Sequence, residues 1–299
     1  IRALGGMPSC DPNTYVASPL DRFVNRSVQA VYEPGSIFKV ITMAAGIDSG
    51  AVTPDTTYVD TGSVTLNGRT IRNWDRKAYG KTTMTGVIEH SLNVGAVFAQ
   101  RKIGRDTFLS YVKAFGFGER TGIDLPSETV GSIRTLTTNA EDINYATASF
   151  GQGISVTPVQ LIGALSAVAN GGTLMRPFVN ADDQPRPIRT VIAKETAHEV
   201  TNMMISAVDT ATVAALPGYA IAGKTGTAQV PDFIHGGYTE EVINTYVGFG
   251  PAAKPRFTIL VRIDEPEGAP LAGSTVVPAF RQYAQFIVNY FNIPPDRLP

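Results

Sequence analysis

Two pairs in this 299-residue chain place a serine three residues ahead of a lysine: Ser36 and Lys39 in "YEPGSIFKVITMAAG", and Ser110 and Lys113 in "RDTFLSYVKAFG". On a helix, residues three apart stand one above the other, so either lysine can reach its serine. A lysine accepts a hydroxyl proton near neutral pH only if its amine is kept from water, because desolvation disfavours the cation. Ser110 and Lys113 lie opposite the stripe Phe108, Leu109, Val112 and Phe115, on the same side as Asp106, which predicts a solvated face and an ordinary protonated lysine. Ser36 follows Glu33-Pro34-Gly35 at the head of a buried helix expected over 36–49, and Lys39 sits among Phe38, Val40 and Ile41. Unpaired N–H groups at that helix start favour negative charge on the hydroxyl or on an oxyanion beside it. The plainer alternative is a capping serine with a lysine that snorkels to water.

A second stretch, "VAALPGYAIAGKTGTAQV", offers two chemistries. Gly218, Gly223, Lys224 and Thr225 satisfy the phosphate-loop pattern G-x-x-x-x-G-K-[ST], which makes a P-loop nucleotide hydrolase one alternative. That motif needs a loop between its glycines and a helix from the lysine onward, so that amide N–H groups cradle phosphates. Here Tyr219 to Ala222 reads as strand, and Gly226, Thr227, Val230 and Pro231 make a poor helix start. Read as a strand, Lys224 and Gly226 share one face and Thr225 and Thr227 the other, with a twist at Gly226 able to turn Thr227 into a cleft. The third candidate is Ser91-Leu92-Asn93 in "VIEHSLNVGAVF", which by itself describes a turn between two helices. No G-x-S-x-G elbow is present, His90 lacks an evident acidic partner, and His90, His198 and His235 have no metal-ligand spacing. A lone Cys10 forms no internal disulfide.

The elements that must hold these residues follow from pattern. Thr157-Pro158 ahead of "VQLIGALSAVANGG" supplies an N-cap, a proline at the first helical position, an apolar stripe and a glycine stop. Residues 51–82 read as irregular and extended, 84–115 as helical, and "DDQPRPIR" at 182–189 as a surface loop. Three late stretches, "GYAIAGKTGTAQV", "VINTYVGFG" and "RFTILVRIDE", predict sequential antiparallel strands, with Phe257, Ile259, Val261 and Ile263 alternating in the last. A final helix, with Phe280, Tyr283, Ala284, Ile287 and Phe291 on one stripe, should cover one face of that sheet. A net charge of −1 without runs of like charge argues against nucleic acid and against a basic membrane-binding face. No apolar stretch approaches the roughly 18 residues that suggest a span, and a chain opening at Ile1 rather than Met leaves upstream segments open.

Taken in order, Ser36-x-x-Lys39, Ser91-x-Asn93 and Lys224-Thr225-Gly226 resemble the three signature motifs of penicillin-binding proteins and serine β-lactamases. "PSCDPN", "YEPGSIFKV", "ASFGQGISVTPVQL", "ANGGTLMRP", "AGKTGTAQ", "YVGFGPA" and "AGSTVVPAF" extend the resemblance to nearly the whole chain and look like the transpeptidase domain of class B penicillin-binding proteins, nearer the division and sporulation branch than the elongation branch. The resemblance implies an α+β fold of the β-lactamase/transpeptidase type. It has a five-stranded, mainly antiparallel sheet with helices on both faces, joined to a mostly helical subdomain at about 50–150 within a single domain over 1–299. "IRALGGMPS" resembles only the second strand of the hairpin that opens this sheet, so the upstream strand, a pedestal domain and a membrane anchor are expected outside this chain.

The implied function is D,D-transpeptidation of peptidoglycan stem peptides, with carboxypeptidase side activity where water competes and covalent binding of β-lactam antibiotics. By resemblance Ser36 is the nucleophile and Lys39 its base, while Ser91 relays the proton. Asn93 positions the substrate amide and orients Lys39, Lys224 supports Ser91, and Thr225, Gly226 and Thr227 line the substrate strand, the two threonines taking the substrate carboxylate. Backbone N–H groups of Ser36 and Thr227 form the oxyanion hole. No metal or cofactor is implied. A membrane glycan polymerase is the expected partner, at the extracytoplasmic face of the bacterial cytoplasmic membrane. A β-lactamase or penicillin sensor on the same fold is the nearest alternative. Glu128, in "DLPSETV", lies in roughly the span where class A β-lactamases carry their deacylating base, but its surroundings resemble a structural "LPSE", and Ser91-Leu92-Asn93 departs from the class A Ser-Asp-Asn.

Overall fold

The computed structural model describes residues 1–232, 234–268 and 271–297. The early elements are α1 (Arg26–Gln29), a 3-10 turn (Gly35–Ile37), α2 (Phe38–Asp48), β1 (Thr57–Asp60), β2 (Ser63–Leu66), β3 (Arg69–Arg72) and β4 (Gly80–Thr83). Then come α3 (Met84–Glu89), α4 (Asn93–Ile103), α5 (Arg105–Ala114), α6 (Asp142–Ala148), α7 (Pro158–Ala169), β5 (Thr173–Arg176), β6 (Arg186–Thr190) and α8 (Lys194–Ala211). The last are β7 (Ala222–Pro231), β8 (Tyr238–Gly250), β9 (Phe257–Asp264) and α9 (Val276–Tyr290).

β7, β8 and β9 form an antiparallel sheet in sequence order, with Thr227 opposite Asn244 and Tyr246 opposite Val261. Helices cover both faces. Val276, Val277, Phe280, Ala284 and Val288 of α9 pack with Phe257, Ile259 and Val261 on one side. On the other, Phe38 and Ile41 of α2, Leu161 and Leu165 of α7, and Met204 of α8 enclose Val247 and Phe249. Full burial of side chains of this size contributes about 1.5–3 kcal/mol each. The cap expected before α7 is present: Thr157 Oγ1 accepts from Gln160 N, and Gln160 returns its side-chain oxygen to Thr157 N.

Two expectations about the sheet change. It has three strands among the described residues, not five. Residues 1–9 are exposed and form no strand, since Gly5-Gly6 and Pro8 break up a segment too poor in β-branched residues to hold an edge. In α9, Tyr283 is 58% exposed and Phe291 57% exposed, while Val276, Val277 and Val288 take up the buried stripe. At about 100° per residue Tyr283 falls at the margin of that stripe, and Phe291 lies past the last helical residue.

Two smaller features also differ. The surface stretch 182–189 ends in strand, because β6 pairs with β5. Residues 51–83 carry two small antiparallel pairs, β1 with β4 and β2 with β3. These lean on α3 and α4, where Tyr58 meets Val87, Leu92 and Val94, and Ile71 meets Ala96 and Val97. No helix among the described residues is long and apolar enough to cross a membrane.

Candidate active site

Ser36 lies in the 3-10 turn that leads into α2. Gly35 makes the approach with φ +55°, a conformation L side chains rarely adopt, and an added Cβ there would stand 3.1 Å from the carbonyl oxygen of Thr227. The turn is pinned from behind. Tyr32 and Val156 exchange backbone bonds of 3.0 and 2.9 Å, and Gly35 N–H donates to Gly151 O at 3.1 Å. Neither the turn nor α2 has a side-chain cap, so Ser36 is not a capping serine.

Lys39 does not snorkel. It is 0% exposed, held in the apolar body of α2, with its Nζ 3.0 Å from Ser36 Oγ, 2.6 Å from Ser91 O and 3.1 Å from Ser91 Oγ. Lys224, 3% exposed near the start of β7, brings its Nζ to 3.0 Å from the same Ser91 Oγ and 3.2 Å from Thr225 O. Neither lysine has a carboxylate partner among the described residues. Burial therefore drives the Lys39 amine well below its ordinary range, with the nearby Lys224 charge adding to the shift. Burial lowers Lys224 to about 7.

A neutral amine has two N–H donors and one lone pair. With the carbonyl and hydroxyl of Ser91 taking the donors of Lys39, its lone pair is left for the Ser36 O–H. Ser91 Oγ joins the two lysines and completes a chain Ser36–Lys39–Ser91–Lys224 along which protons can pass.

Ser91 reaches this position from a turn with φ +56°, between α3 and α4. A non-glycine residue there costs roughly 1–3 kcal/mol and persists only when its surroundings fix it. Leu92, fully buried, anchors the turn, and Leu92 N–H donates to Val87 O at 3.0 Å. Sequence reasoning missed the remaining supports. Asn73 Oδ1 accepts from Val94 N at 3.2 Å, Asn73 Nδ2 donates to the buried Asp60 carboxylate at 3.0 Å, and Trp74 Nε1 donates to His90 O at 3.2 Å. Asp60 ends β1 and Asn73 and Trp74 follow β3, all well upstream of Ser91, and none carries a local signal.

Asn93 departs from its expected role toward Lys39. As the first residue of α4 it donates Nδ2 to Arg72 O at 2.8 Å, because the helix start turns the side chain toward the end of β3.

β7 passes directly against the nucleophile's turn. A Cβ on Gly226 would lie 2.9 Å from Pro34 O and 3.1 Å from Ile37 Cγ1, so only glycine admits this approach. Thr225 is half-buried beside Lys224 and Thr227 is exposed. Thr227 Oγ1 bonds Asn244 Oδ1 at 3.0 Å, and the fully buried Asn244 donates to Thr275 Oγ1 at 3.0 Å. Thr275 belongs to "AGSTVVPAF", a stretch that marked the family resemblance without suggesting a role. Because strand β7 runs straight through Lys224 with no helix following, the phosphate-loop alternative fails.

The family described as "Penicillin binding protein transpeptidase domain" matches residues 1–285. The chain belongs to the penicillin-binding protein transpeptidase family. Stage V sporulation protein D of Bacillus subtilis is 35% identical over 92% of this chain and 45% of its own length. Peptidoglycan D,D-transpeptidase FtsI of Escherichia coli strain K12 is 31% identical over 100% of the chain and 50% of its own length. The chain thus spans about half the length of these class B relatives. Among solved structures, the apo transpeptidase domain of Burkholderia pseudomallei penicillin-binding protein 3 superposes with TM-score 0.83 at 32% identity, covering 92% of this chain and 84% of that one.

Within this penicillin-binding protein transpeptidase domain, three residues singled out by the sequence stand apart from the Ser36 cluster. Ser110 and Lys113 are exposed on α5. Glu128 accepts from Thr121 N at 2.7 Å and Gly122 N at 3.2 Å, closing its own loop.

Proposed function

We propose that the Ser36 cluster is the acyl-transfer centre of a D,D-transpeptidase that cross-links peptidoglycan stem peptides and is acylated by β-lactams at the same serine. One observation carries this reading: the dehydrated Lys39 amine stands within hydrogen-bond distance of both Ser36 Oγ and Ser91 Oγ. Lys39 Nζ takes the proton as Ser36 Oγ attacks the carbonyl of the terminal D-Ala-D-Ala bond. The oxyanion is met by the N–H groups of Ser36 and Thr227, a contribution of about 3–4 kcal/mol per donor in acyl transfer. Ser91, supported by Lys224, delivers the proton to the departing D-Ala amine, and Thr225 and Thr227 hold the substrate carboxylate against the edge of β7. Asn93 contacts the substrate amide from its place beside Ser91. An amine from a second stem peptide then attacks the acyl carbon and releases Ser36 by the reverse proton path. Water in that step gives the carboxypeptidase product.

On this reading residues 1–299 act as one transpeptidase domain. In the full-length protein a pedestal and anchor hold it at the extracytoplasmic face of the bacterial cytoplasmic membrane, beside a glycan polymerase. The untouched half of the relatives' length supports the presence of further segments. A labelling and release time course with a fluorescent penicillin tests the assignment: stable label on Ser36 is expected, none on Ser36→Ala, and full label on Ser110→Ala. Label that survives Ser36→Ala overturns the reading. Rapid turnover of a chromogenic cephalosporin favours a β-lactamase instead.

A further inference from the structure

Glu33 stands three residues before Ser36, and its carboxylate is buried, with only 9% of the residue exposed. None of the steps above uses it. It joins three segments of chain. Oε1 accepts the N–H of Gly153 at 2.8 Å, and Tyr238 Oη, from the first residue of β8, donates to the carboxylate at 3.1 Å to Oε2 and 3.3 Å to Oε1. Gly153 belongs to the loop that also holds the nucleophile's turn through Gly151 and Val156. Tyr238 pairs with Pro231 at the far end of β7, four residues beyond Thr227.

The contact between β7 and the turn at Pro34-Gly35 is otherwise one of close backbone packing. Glycines at 35 and 226 allow it, but they supply no side chain to hold it. The Glu33–Tyr238 bond ties the β7–β8 hairpin by a side-chain hydrogen bond to the residue just ahead of Pro34-Gly35. Between Glu33 and Ser36 the chain is stiff, since Pro34 fixes φ near −69° and Gly35 holds φ +55° against the neighbouring strand. A shift of the hairpin relative to Glu33 is therefore a shift of Thr227 relative to Ser36. Acyl transfer is sensitive to that spacing, and a misplacement of about 1 Å can cost on the order of 100-fold.

We propose that Glu33 is a positioning residue, whose bonds to Gly153 and Tyr238 set the distance between β7 and the Ser36 turn and so the geometry in which the acyl carbonyl is held. This rests on the proposed acylation of Ser36. It predicts a coupling between a buried carboxylate and an exposed hairpin tyrosine that neither residue's local surroundings require.

The test is the acylation kinetics of this chain with a fluorescent penicillin, separated into non-covalent affinity and the acylation rate constant, and normalised to folded, titratable sites. Glu33→Ala should lower the acylation rate constant about 10- to 100-fold while affinity changes by no more than about threefold. Glu33→Gln keeps an acceptor for Gly153 N–H and a donor for the Tyr238 oxygen, and should stay within about threefold of wild type. Tyr238→Phe removes only a hydroxyl from a half-exposed side chain, which secures folding, and should lower the rate about three- to tenfold. In the Glu33→Ala background the Tyr238→Phe effect should vanish. Equal acylation of wild type, Glu33→Ala and Tyr238→Phe overturns the inference alone. So does additive loss in the double variant, or a Glu33→Gln as impaired as Glu33→Ala. Wild type that never becomes acylated overturns the functional reading with it.

Discussion

Ser36/Lys39 and Ser110/Lys113 share a spacing and a helical setting, yet the first pair is wired to two further polar groups in a dry interior and the second lies exposed on α5. The difference is made by what surrounds each amine. At Lys39 the neighbours are apolar residues of α2, the hydroxyl and carbonyl of Ser91, and a second lysine that disfavours its charge. Lys113 is exposed on α5, with no second element among the described residues packed over its amine. A three-residue spacing is thus geometry without chemistry until a second element removes the solvent.

The sharpest way to break this contrast is to exchange the members of each pair in turn. Ser36→Ala should abolish covalent labelling, whereas Ser110→Ala should label as wild type, read by gel fluorescence and peptide mass. Lys39→Met should slow acylation by about 10²- to 10⁴-fold, the range for loss of a positioned base, and Lys113→Met should leave it unchanged. Lys224→Met removes a charge-assisted bond to Ser91, a change of roughly 1.5–3 kcal/mol or about 10- to 100-fold in rate.

Lys224→Met also moves the pH profile. Acylation needs neutral Lys39, so the rate rises with pH through the lowered Lys39 pKa. Removing the Lys224 charge makes protonation of Lys39 easier, which raises that pKa and shifts the ascending limb to higher pH. A limb that stays in place would show that burial alone sets the Lys39 pKa. The smallest effect is expected at Thr275→Val, which unpairs Asn244 and loosens Thr227. A rise in KM of about fivefold for a D-Ala-D-Ala thioester, with kcat little changed, would mark Thr227 as a ground-state carboxylate contact.

Much of the site could be read along the chain because its parts are short and local. The turn before Ser36, the strand through Lys224 and the capped α7 all follow from neighbours within a few residues. The failures are equally physical. The strand expected at the start of the chain is absent among the described residues, where a weak β-former needs a partner that pattern alone does not supply. Asn93 was aimed at Lys39 by its motif, but its side-chain direction is set by the start of α4 and by the carbonyl of Arg72 from another element. Asp60, Asn73, Asn244 and Thr275 went unrecognised because each acts through a partner at least 13 residues away.

By itself the sequence determined which residue types were present, in what order, and that one Ser-x-x-Lys pair fell within an apolar helix. Their order along the chain carried the family. Only the tertiary structure decided that Ser91 Oγ lies between the two lysines, that β7 presses on the Ser36 turn, and that Glu33 meets Tyr238 across 205 positions. The reason is that proton transfer depends on distance and dehydration. Both are properties of how separate elements pack, and neither is written in the residues that react.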